Sequence, residues 1–584
     1  MTESARGILE YTHNGRDCRY SWTGQNFPVC EGLVLSGGVE GHRSYLEVTP
    51  GDSAGRIRMK RLEWTFPMNY SREDRIFMNG YQSWTDSWER GVKDTISRIS
   101  LAGRLLSFRY HLNKYGDYRF VRTSPREGEL HGFTYGYIRP GGGGSIFLFG
   151  SLSEAEGFTV FRTSVPASSL SAAWDCRGLV LDRPRRVLDL FVCRGEENEV
   201  FDSYFRHMDQ PFPEAPRSVG WTSWYHYYQN ISEPVILENL EAFRNSDFPI
   251  DLFQIDDGYQ TRVGDWLEVD PVKFPRGLAP MAKEIHASGY RAGLWLAPFV
   301  CEKKSRIVRE HPEWLLRDGR GRPVTAGSNW GGFFVLDFYR PQVKSYLREV
   351  FSTVLRKWHF DMVKLDFLYA VCMVPPPHKT RGEVMREAMV FLRECAGEKV
   401  ILGCGVPLGS AFGLVEYCRI GCDVGPDWNS GFPGKYLHRE RVSTRNALGN
   451  ALGRRHLNGR AFMNDPDVFL LRDSRNRLTE MERETLLRVN AVTGTLVFTS
   501  DLVSDYDEKK RTLFREVFSS KELLEVIQEG EVFQLRYLEG RKEKVLLVNL
   551  SESVSRIRNL ALLPRESVLM EGGKARKTAA ALVR

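Results

Sequence analysis

Short apolar strands separated by turn residues dominate the first 205 residues of the chain. The clearest of these runs occupy residues 33–35, 44–49, 146–149 and 187–192. The glycines at 141–144 mark a loop between two of them. Branched and aromatic residues in short runs between turns are typical of antiparallel sheets. The pattern therefore predicts an antiparallel β-sandwich over residues 1–210, followed by a connector that contains Pro211, Pro213 and Pro216.

Near residue 218 the pattern changes to short strands that alternate with amphipathic helices. Strands are predicted at residues 219–224, 252–255, 291–297, 362–365, 399–404, 417–421, 459–463 and 494–499. Between them apolar residues recur at helical spacing, as at Val343, Leu347 and Val350. Eight strands alternating with helices predict a (β/α)8 TIM barrel over residues 217–508.

Beyond about residue 510 the pattern returns to strands, at 532–535 and 544–548. We expect a small C-terminal β-sandwich over residues 509–584. The sequence thus predicts a multidomain protein in which a central barrel lies between two sandwiches.

Composition excludes several classes of protein. With 42% hydrophobic and 27% charged residues in 584, the chain is neither disordered nor fibrous. The net charge of +7 is spread along the chain without a polybasic segment, so no nucleic-acid partner is predicted. No run reaches about 18 uncharged apolar residues, so no membrane span is predicted. The polar start of the chain and ten cysteines without CxxC spacing predict a cytoplasmic protein with reduced thiols.

Acidic residues follow most of the predicted barrel strands, at the ends where barrel enzymes carry their active sites. They are Asp256, Asp257, Asp366, Asp423, Asp465, Asp467 and Asp501. Any one of them alone is explained as a helix cap or a loop ion pair. Together with the nearby tryptophans at 221, 224, 295 and 330, they indicate a pocket for a neutral, polyhydroxylated ligand. Clustered acids could also bind a divalent cation, but no HxH, HxxxH or DxDxD spacing accompanies them, and no metal site is predicted.

Glycoside cleavage needs two carboxyl groups on opposite sides of the scissile bond. Lys364 and Asp366 are two residues apart on one strand, so their side chains share a face. A neighbouring cation favours the ionised carboxylate, which makes Asp366 the candidate nucleophile. Asp423 follows a strand two positions further round the barrel and is the candidate proton donor.

Several motifs in fixed order carry a family resemblance. They are Asn79-Gly-Tyr-Gln-Ser-Trp84, Gly220-Trp-Thr-Ser-Trp-Tyr-His-Tyr227, Phe253-Gln-Ile-Asp-Asp-Gly-Tyr259, Asp265-Trp-Leu267, Gly293-Leu-Trp-Leu-Ala-Pro-Phe299, Asn329-Trp330, Lys364-Leu-Asp-Phe-Leu368, Leu402-Gly-Cys-Gly405, Arg419-Ile-Gly-Cys-Asp423 and Asn464-Asp-Pro-Asp467. With them the chain resembles glycoside hydrolase family 36, the α-galactosidases, and in particular its shorter bacterial and thermophile members. The resemblance covers most of the chain.

The resemblance implies a role for each matching residue. Asp366 would be the nucleophile and Asp423 the general acid/base, and no metal or cofactor is implied. Substrate-binding residues would be Trp84, Trp221, Asp256, Asp257, Trp295, Lys364, Cys404 and Arg419. Among these, the two adjacent acids would hold the C4 and C6 hydroxyls of galactose, and Cys404 would pack near C2. Cys422 departs from the family pattern, which has proline before the acid.

The function implied is a retaining, exo-acting α-galactosidase for melibiose- and raffinose-type α-1,6-galactosides, with a small oligosaccharide as its partner. The alternatives are an α-N-acetylgalactosaminidase or an α-galactosyl transferase on the same scaffold, and a non-catalytic sugar-binding protein. Asp465 and Asp467 are predicted to shape the loop after strand seven, and Asp427 to be a loop residue or helix cap. The sequence makes no prediction of oligomeric state.

Overall fold

The structure is a computed structural model. It describes residues 4–51, 55–100, 103, 105–107, 111–141, 143–208, 214–429, 438–557, 560–571 and 574–576. Parts of three sequence predictions lie outside these residues: the first residues of the polar start, one glycine of the 141–144 loop, and Pro211 and Pro213 of the connector.

The described residues before the connector form two antiparallel sheets. Their strands are β1 (Arg6–His13), β2 (Arg16–Thr23), β3 (Leu33–Glu40), β4 (Arg43–Pro50), β5 (Ile57–Pro67), β6 (Arg75–Met78), β7 (Glu89–Gly91), β8 (Glu129–Phe133), β9 (Tyr135–Arg139), β10 (Ser145–Ser151), β11 (Thr159–Ser164), β12 (Ser169–Trp174) and β13 (Arg185–Glu196). One sheet has the order β2-β1-β5-β12-β11-β8, the other β3-β4-β13-β10-β9-β6-β7. Strands such as β4 alternate buried and more exposed positions, as expected of a sheet with one face on a core.

The first region also contains a helix that the strand pattern did not predict. Helix α1 (Glu197–Arg206) follows β13 directly and buries Val200, Phe201, Tyr204 and Phe205. Their spacing is helical, so the prediction of strands up to residue 205 is wrong over its last turns.

The central region is a curled parallel sheet with helices between its strands. The parallel strands are β14 (Ser218–Thr222), β15 (Leu252–Ile255), β16 (Arg291–Leu296), β20 (Met362–Leu365), β21 (Val400–Gly403), β22 (Tyr417–Arg419), β23 (Met463–Asp465), β24 (Val468–Phe469) and β25 (Leu496–Thr499). The helices are α2 (Trp224–Tyr227), α3 (Glu233–Arg244), α4 (Leu278–Ala287), α5 (Arg306–Glu310), α6 (Pro341–Ser352), α7 (Arg381–Ala396), α8 (Leu408–Ala411), α9 (Thr444–Gly453), α10 (Glu480–Thr493) and α11 (Glu508–Arg515). The sheet order is β23-β22-β21-β20-β16-β15-β14-β25-β24. The two edge strands of the curled sheet, β23 and β24, follow each other directly in the chain, within residues 463–469.

Two details differ from the predicted strand pattern. The seventh strand begins at Met463 instead of Gly459, because Gly459 has a positive φ of 73° and begins the turn of residues 459–461. In addition, the connection after β16 carries a small antiparallel sheet. It consists of β17 (Val300–Glu302), β18 (Thr325–Gly327) and β19 (Phe333–Val335). This insertion brings Asn329 and Trp330 to the carboxyl ends of the parallel strands.

The C-terminal region is a five-stranded antiparallel sheet with a two-stranded hairpin. Its strands are β26 (Lys521–Glu529), β27 (Val532–Glu539), β28 (Lys542–Asn549), β29 (Ser555–Ile557), β30 (Leu560–Leu562), β31 (Ser567–Glu571) and β32 (Lys574–Arg576). The sheet order is β26-β27-β28-β31-β32, and β29 pairs with β30. Leu547 and Val568 of the sheet pack with Leu562 of the hairpin in a small apolar cluster.

The N-terminal sheets dock on the central region through an aromatic interface. Phe77, Tyr135 and Phe201 surround the buried His456, with ring centroids 5.5, 5.3 and 3.9 Å from its imidazole. Tyr135 Oη lies 2.9 Å from His456 Nε2. Such packed aromatic pairs fix relative orientation as well as burying area. The N-terminal region is therefore held rigidly enough to contribute side chains to a site on the parallel sheet.

A buried arginine ties the loop of residues 79–84 to the parallel strands. Arg454 is fully buried. Its Nε donates to Asn79 Oδ1 (2.9 Å), and its other nitrogens donate to the carbonyls of Gln82 (3.1 Å) and Ile420 (2.9 Å). The guanidinium thus connects the N-terminal loop that ends in Trp84 to the segment that follows β22.

Replacing this arginine should destabilise the protein strongly. Arg454→Met leaves several buried oxygens without a donor, and we expect a loss of about 3 kcal/mol. Urea unfolding followed by tryptophan fluorescence would measure it. Arg322→Met is the matched control, because the Arg322 side chain is 66% exposed and pairs with Asp318 at the surface, and such pairs contribute at most about 1 kcal/mol. Equal losses in the two variants would contradict the role assigned to Arg454.

Candidate active site

A cavity of about 370 Å³ opens at the carboxyl ends of the parallel strands. Seven of the residues predicted for the site line it: Trp84, Asp256, Asp257, Trp295, Lys364, Asp366 and Asp423. Cys404 and Arg419 lie directly behind this lining, each 1% exposed and each bonded to a lining side chain. The cavity has the size and the mixture of aromatic and polar groups of a small-ligand site.

Asp256 anchors one end of the cavity. Its Oδ2 accepts hydrogen bonds from Lys364 Nζ at 2.9 Å and Gln254 Nε2 at 2.7 Å. The Ser223 hydroxyl accepts from the Asp256 amide at 2.9 Å, which fixes the backbone. Lys364 therefore pairs most closely with Asp256, not with Asp366 as strand alternation suggested.

Asp257 accepts three side-chain hydrogen bonds. Gln260 donates to Oδ1 at 2.6 Å, and Gln229 and Trp330 each donate to Oδ2 at 2.9 Å. Burial nevertheless raises the pKa of Asp257 to about 6, and the charge of Asp256 adds to that rise. Both adjacent carboxyl groups line the cavity, and each is held in place by side-chain donors.

Asp366 is held in place by two donors. Trp295 Nε1 donates to Oδ2 at 3.1 Å, and the Phe367 amide donates to Oδ1 at 2.8 Å. Burial raises the pKa of this carboxyl above its usual value, and the charges of Lys364 and the Trp295 bond only partly offset it. The predicted effect of Lys364 on the Asp366 pKa has the expected sign, but burial outweighs it.

Asp423 lies nearer the cavity mouth, with 35% of its side chain exposed. Its Oδ1 accepts hydrogen bonds from Arg419 Nη1 (3.2 Å), Arg419 Nη2 (3.1 Å) and the Tyr225 hydroxyl (3.0 Å). Among the described residues, every side-chain hydrogen bond to Asp423 goes to Oδ1. Oδ2 of Asp423 therefore accepts no side-chain hydrogen bond from the described residues.

Cys404 and Trp84 close the side of the cavity next to the nucleophile candidate. Trp84 Nε1 lies 3.3 Å from Cys404 Sγ. The Trp84 ring makes an edge contact with Phe367, at a centroid distance of 5.2 Å. A residue of the N-terminal region thus forms part of this cavity.

Trp221 does not line the cavity, contrary to the sequence prediction. It is fully buried and stacks on Phe253, with ring centroids 4.3 Å apart. Trp221 and Phe253 are register partners on β14 and β15, and their neighbours Thr222 and Gln254 face Asp256 instead. Strand alternation therefore points Trp221 toward the helices. Trp224, at the start of α2, is the tryptophan of this motif that reaches the cavity.

Several lining residues were not predicted from the sequence. They are Leu112, Tyr115, Ser328, Phe367, Cys422, His438, Glu440, Arg441 and Val442. Glu440 bridges two regions, because its Oε1 accepts from Thr85 at 2.7 Å and its Oε2 from Tyr118 at 2.9 Å. Phe367 and Cys422 lie in the motifs around Asp366 and Asp423, but no cavity contact was predicted for them. The other positions lie on connections without periodic patterning, so the sequence carried no signal for them.

The remaining acids of the strand ends have structural partners. Asp501 accepts hydrogen bonds from the amides of Leu471 (2.6 Å) and Arg472 (2.9 Å). Asp427 is bound by Arg477, which lowers the pKa of this exposed carboxyl. Asp465 and Asp467 are buried behind the cavity, next to Arg419.

Two properties of the described residues concern metal binding and membrane insertion. No group of three or more His, Cys, Asp or Glu side chains there has a metal-binding arrangement. Within the same residues, no helix has the length and apolar character needed to cross a bilayer.

Comparison with known proteins places this cavity in a family context. Residues 195–392 match the family model described as Melibiase. Alpha-galactosidase AgaA of Geobacillus stearothermophilus is 32% identical over 162 residues, which is 26% of this chain and 21% of that protein. Alpha-galactosidase 2 of Pediococcus pentosaceus is 27% identical over 171 residues, 27% of this chain and 23% of that protein. These aligned segments span about a quarter of the length of the curated relatives.

Solved structures match over a much larger share of the chain. The alpha-galactosidase TtGalA of Thermus thermophilus, in complex with p-nitrophenyl alpha-D-galactopyranoside, superposes with a TM-score of 0.67 and 28% identity, covering 87% of this chain and 98% of that one. The GH36 alpha-galactosidase AgaA of Geobacillus stearothermophilus superposes with a TM-score of 0.59 at 15% identity, over 96% and 88% of the two chains, which shows the fold. The resemblance that the sequence motifs indicated is therefore confirmed: residues 195–392 match the Melibiase family model, and the chain is similar in sequence and structure to alpha-galactosidases, among them AgaA.

Proposed function

We propose that this protein is a retaining exo-α-galactosidase that hydrolyses terminal α-D-galactosyl groups of melibiose- and raffinose-type oligosaccharides. The observation that carries the proposal is one cavity lined by Asp366 and Asp423 together with the Asp256–Asp257 pair. TtGalA of Thermus thermophilus, which is 28% identical and superposes over 83% of this chain, has been solved in complex with stachyose. Carboxyl groups and indole rings in one small cavity suit a neutral sugar.

The proposal includes the architecture predicted from the sequence. We infer that the curled parallel sheet is a closed (β/α)8 barrel over residues 217–508, between sandwiches at 1–210 and 509–584. Parallel pairing of β24 with β25, together with the continuity of β23 and β24 through Pro466, supports closure. Catalytic side chains at the carboxyl ends of several strands are the rule for such barrels.

In the first chemical step, Asp366 attacks the anomeric carbon. Trp295 and the Phe367 amide each bind one of its oxygens, so the carboxylate is oriented before substrate enters. Oδ2 of Asp423 gives its proton to the departing glycosidic oxygen. The products of this step are the aglycone and a β-galactosyl ester on Asp366.

In the second step, the same Oδ2 of Asp423 takes a proton from water, and that water attacks the anomeric carbon from the face that the aglycone left. The ester bond to Asp366 breaks and α-galactose is released with retained configuration. Two carboxyl groups about 5–5.5 Å apart serve this double displacement. Both acids return to their starting protonation states.

Assay of nitrophenyl α-galactoside, α-glucoside and α-N-acetylgalactosaminide tests the proposal directly. We expect turnover of the galactoside, because Asp256 and Asp257 line the cavity and are proposed to bind the C4 and C6 hydroxyls of galactose. Turnover of none of the three would favour the non-catalytic sugar-binding alternative. Formation of galactosylated products in place of free galactose would favour the transferase.

The preference at C2 is a separate prediction. Cys404, which is 1% exposed and lies 3.3 Å from Trp84 Nε1 behind the cavity lining, is proposed to pack near C2 and to leave little space for an acetamido group. We expect kcat/KM to favour the α-galactoside over the α-N-acetylgalactosaminide by well over ~10-fold, since a clash rejects the larger analogue.

Cys404→Ala should reduce the ratio of kcat/KM for the α-galactoside to kcat/KM for the α-N-acetylgalactosaminide. Cys301→Ala is the control and should leave this ratio unchanged, because Cys301 is a fully buried thiol beside Gly264. Equal or reversed preference in the unmodified protein would move the assignment to an α-N-acetylgalactosaminidase.

A further inference from the structure

One buried guanidinium faces three carboxyl groups at the back of the cavity. Arg419 donates to Asp423 Oδ1 at 3.1 Å, forms an ion pair with Asp467 Oδ1, and has its Nε 4.0 Å from Asp465 Oδ2. Arg419 is 1% exposed, so water contributes little to this balance of charge. The mechanism above uses Asp423 but assigns nothing to Asp465 or Asp467.

Asp467 has a second contact that involves the acid/base candidate. Its Oδ2 accepts a hydrogen bond of 2.7 Å from the amide of Val424, the residue directly after Asp423. Asp467 is 3% exposed and adopts a positive φ of 83°, a region in which Asp and Asn are tolerated better than other side chains. Oδ2 of Asp467 therefore binds the backbone next to Asp423, and Oδ1 binds the Arg419 guanidinium, which also binds Asp423.

We propose that Asp467 is a positioning residue for the general acid/base: it fixes the chain at Val424 and divides the charge of Arg419, so that Asp423 can carry a proton at the working pH. This inference rests on the proposed function, because it assigns the acid/base role to Asp423. The inference gives Asp467 a role in the site, whereas the Asn464-Asp-Pro-Asp467 motif predicted only that this residue shapes a loop.

The charges around the cluster favour this role. Burial raises the pKa of Asp467 to about 7; Arg419 opposes the rise, whereas Asp423 and Asp465 add to it. Three carboxyl groups around one cation do not all ionise readily, since each added negative charge disfavours the next. The other titratable groups that face the cluster are Tyr225 on α2, Lys364 on β20, Asp366, Cys404 and Cys422.

Asp467→Asn tests the proposal with little change of shape. Asparagine tolerates a positive φ and can still accept the Val424 hydrogen bond, but it removes the negative charge that Asp467 carries when it is ionised. Arg419 then stabilises ionised Asp423 with its undivided charge. A general acid that loses its proton at lower pH shifts the alkaline limb of kcat/KM toward lower pH, and we expect about one pH unit.

The substrate decides whether such a shift reports on the acid. With melibiose, whose leaving group needs a proton, the alkaline limb of Asp467→Asn should move. With dinitrophenyl α-galactoside, whose leaving group departs without one, kcat/KM should stay close to that of the unmodified protein. A variant that is merely misfolded would lose activity on both substrates.

Asp427→Asn is the matched control. It removes a negative charge four residues from Asp423, but the Asp427 side chain is 39% exposed and paired with Arg477. Its pH profile should match that of the unmodified protein. An active protein whose alkaline limb stays in place in Asp467→Asn, or moves equally in Asp427→Asn, would overturn the inference and leave the proposed function standing.

A second measurement does not depend on activity. Carbodiimide coupling of Asp423 to an amine, followed by peptide mass spectrometry across a pH series, gives the midpoint at which this carboxyl ionises. We expect a lower midpoint in Asp467→Asn. An unchanged midpoint would refute the inference about Asp467, whether or not the protein hydrolyses galactosides. Failure to hydrolyse any galactoside would separately refute the proposed function. If Asp467→Asn does not fold, Asp465→Asn should show a smaller shift in the same direction, because its contact with Arg419 is longer.

Discussion

Replacing Asp366 with glycine is expected to lower kcat by at least ~10³-fold, because no other group can form the galactosyl ester. Azide should then enter the space that the carboxylate leaves and attack the anomeric carbon from that side. The product should be β-galactosyl azide, detected by NMR of the anomeric proton. Trp295 and the Phe367 amide, which bind this carboxylate, stay in place in the variant.

Asp427→Gly is the control for this variant, since it makes the same chemical change at a partly exposed acid outside the cavity. It should retain nearly full activity and form no azide adduct. Near-normal turnover by Asp366→Gly, or an α-galactosyl azide from it, would be incompatible with Asp366 as the nucleophile.

Replacing Asp423 with alanine should give an effect that depends on the leaving group. Dinitrophenolate departs without a proton, so the variant should still form the galactosyl ester from dinitrophenyl α-galactoside, yet fail on melibiose. Hydrolysis of the ester should be slow because no base activates water, which gives a burst followed by a low steady rate. Azide needs no base and should restore turnover, with α-galactosyl azide as the product.

Asp427→Ala distinguishes Asp423 from the other acid near the cavity mouth. Asp427 is bound by Arg477 on the surface, whereas Asp423 lines the cavity and is bound by Arg419 and Tyr225. The Asp427 variant should therefore show neither the burst nor the azide rescue. An exchange of these behaviours between the two variants would make Asp427 the acid/base.

Strand ends were the most informative feature of the sequence. Parallel strands in one sheet present their carboxyl ends at one rim, so residues that follow different strands must meet there. This rule brings Asp256, Asp366 and Asp423 to one cavity although more than 150 residues of chain separate the first from the last. The type of each element was also predictable, because the period and length of an apolar run distinguish short buried strands from amphipathic helices.

Side-chain direction at a motif was less predictable. Trp221 and Trp224 stand three residues apart in one motif, but β14 ends between them and α2 begins at Trp224. The residue on the strand points to the helices, and the one on the turn points to the cavity. A boundary shift of one or two residues exchanges these directions, and periodicity does not locate boundaries that closely.

What the sequence by itself determined is the set of chemical groups and the rim to which the strands deliver them. Only the tertiary structure decided how those groups pair: Lys364 with Asp256, and Arg419 with both Asp423 and Asp467. It also decided which loops complete the cavity, such as the one that carries Tyr115 from the N-terminal region. The physical reason is that ion pairing and the pKa of Asp366 depend on distances and burial summed over several chain segments, whereas spacing along one strand reports on a single segment.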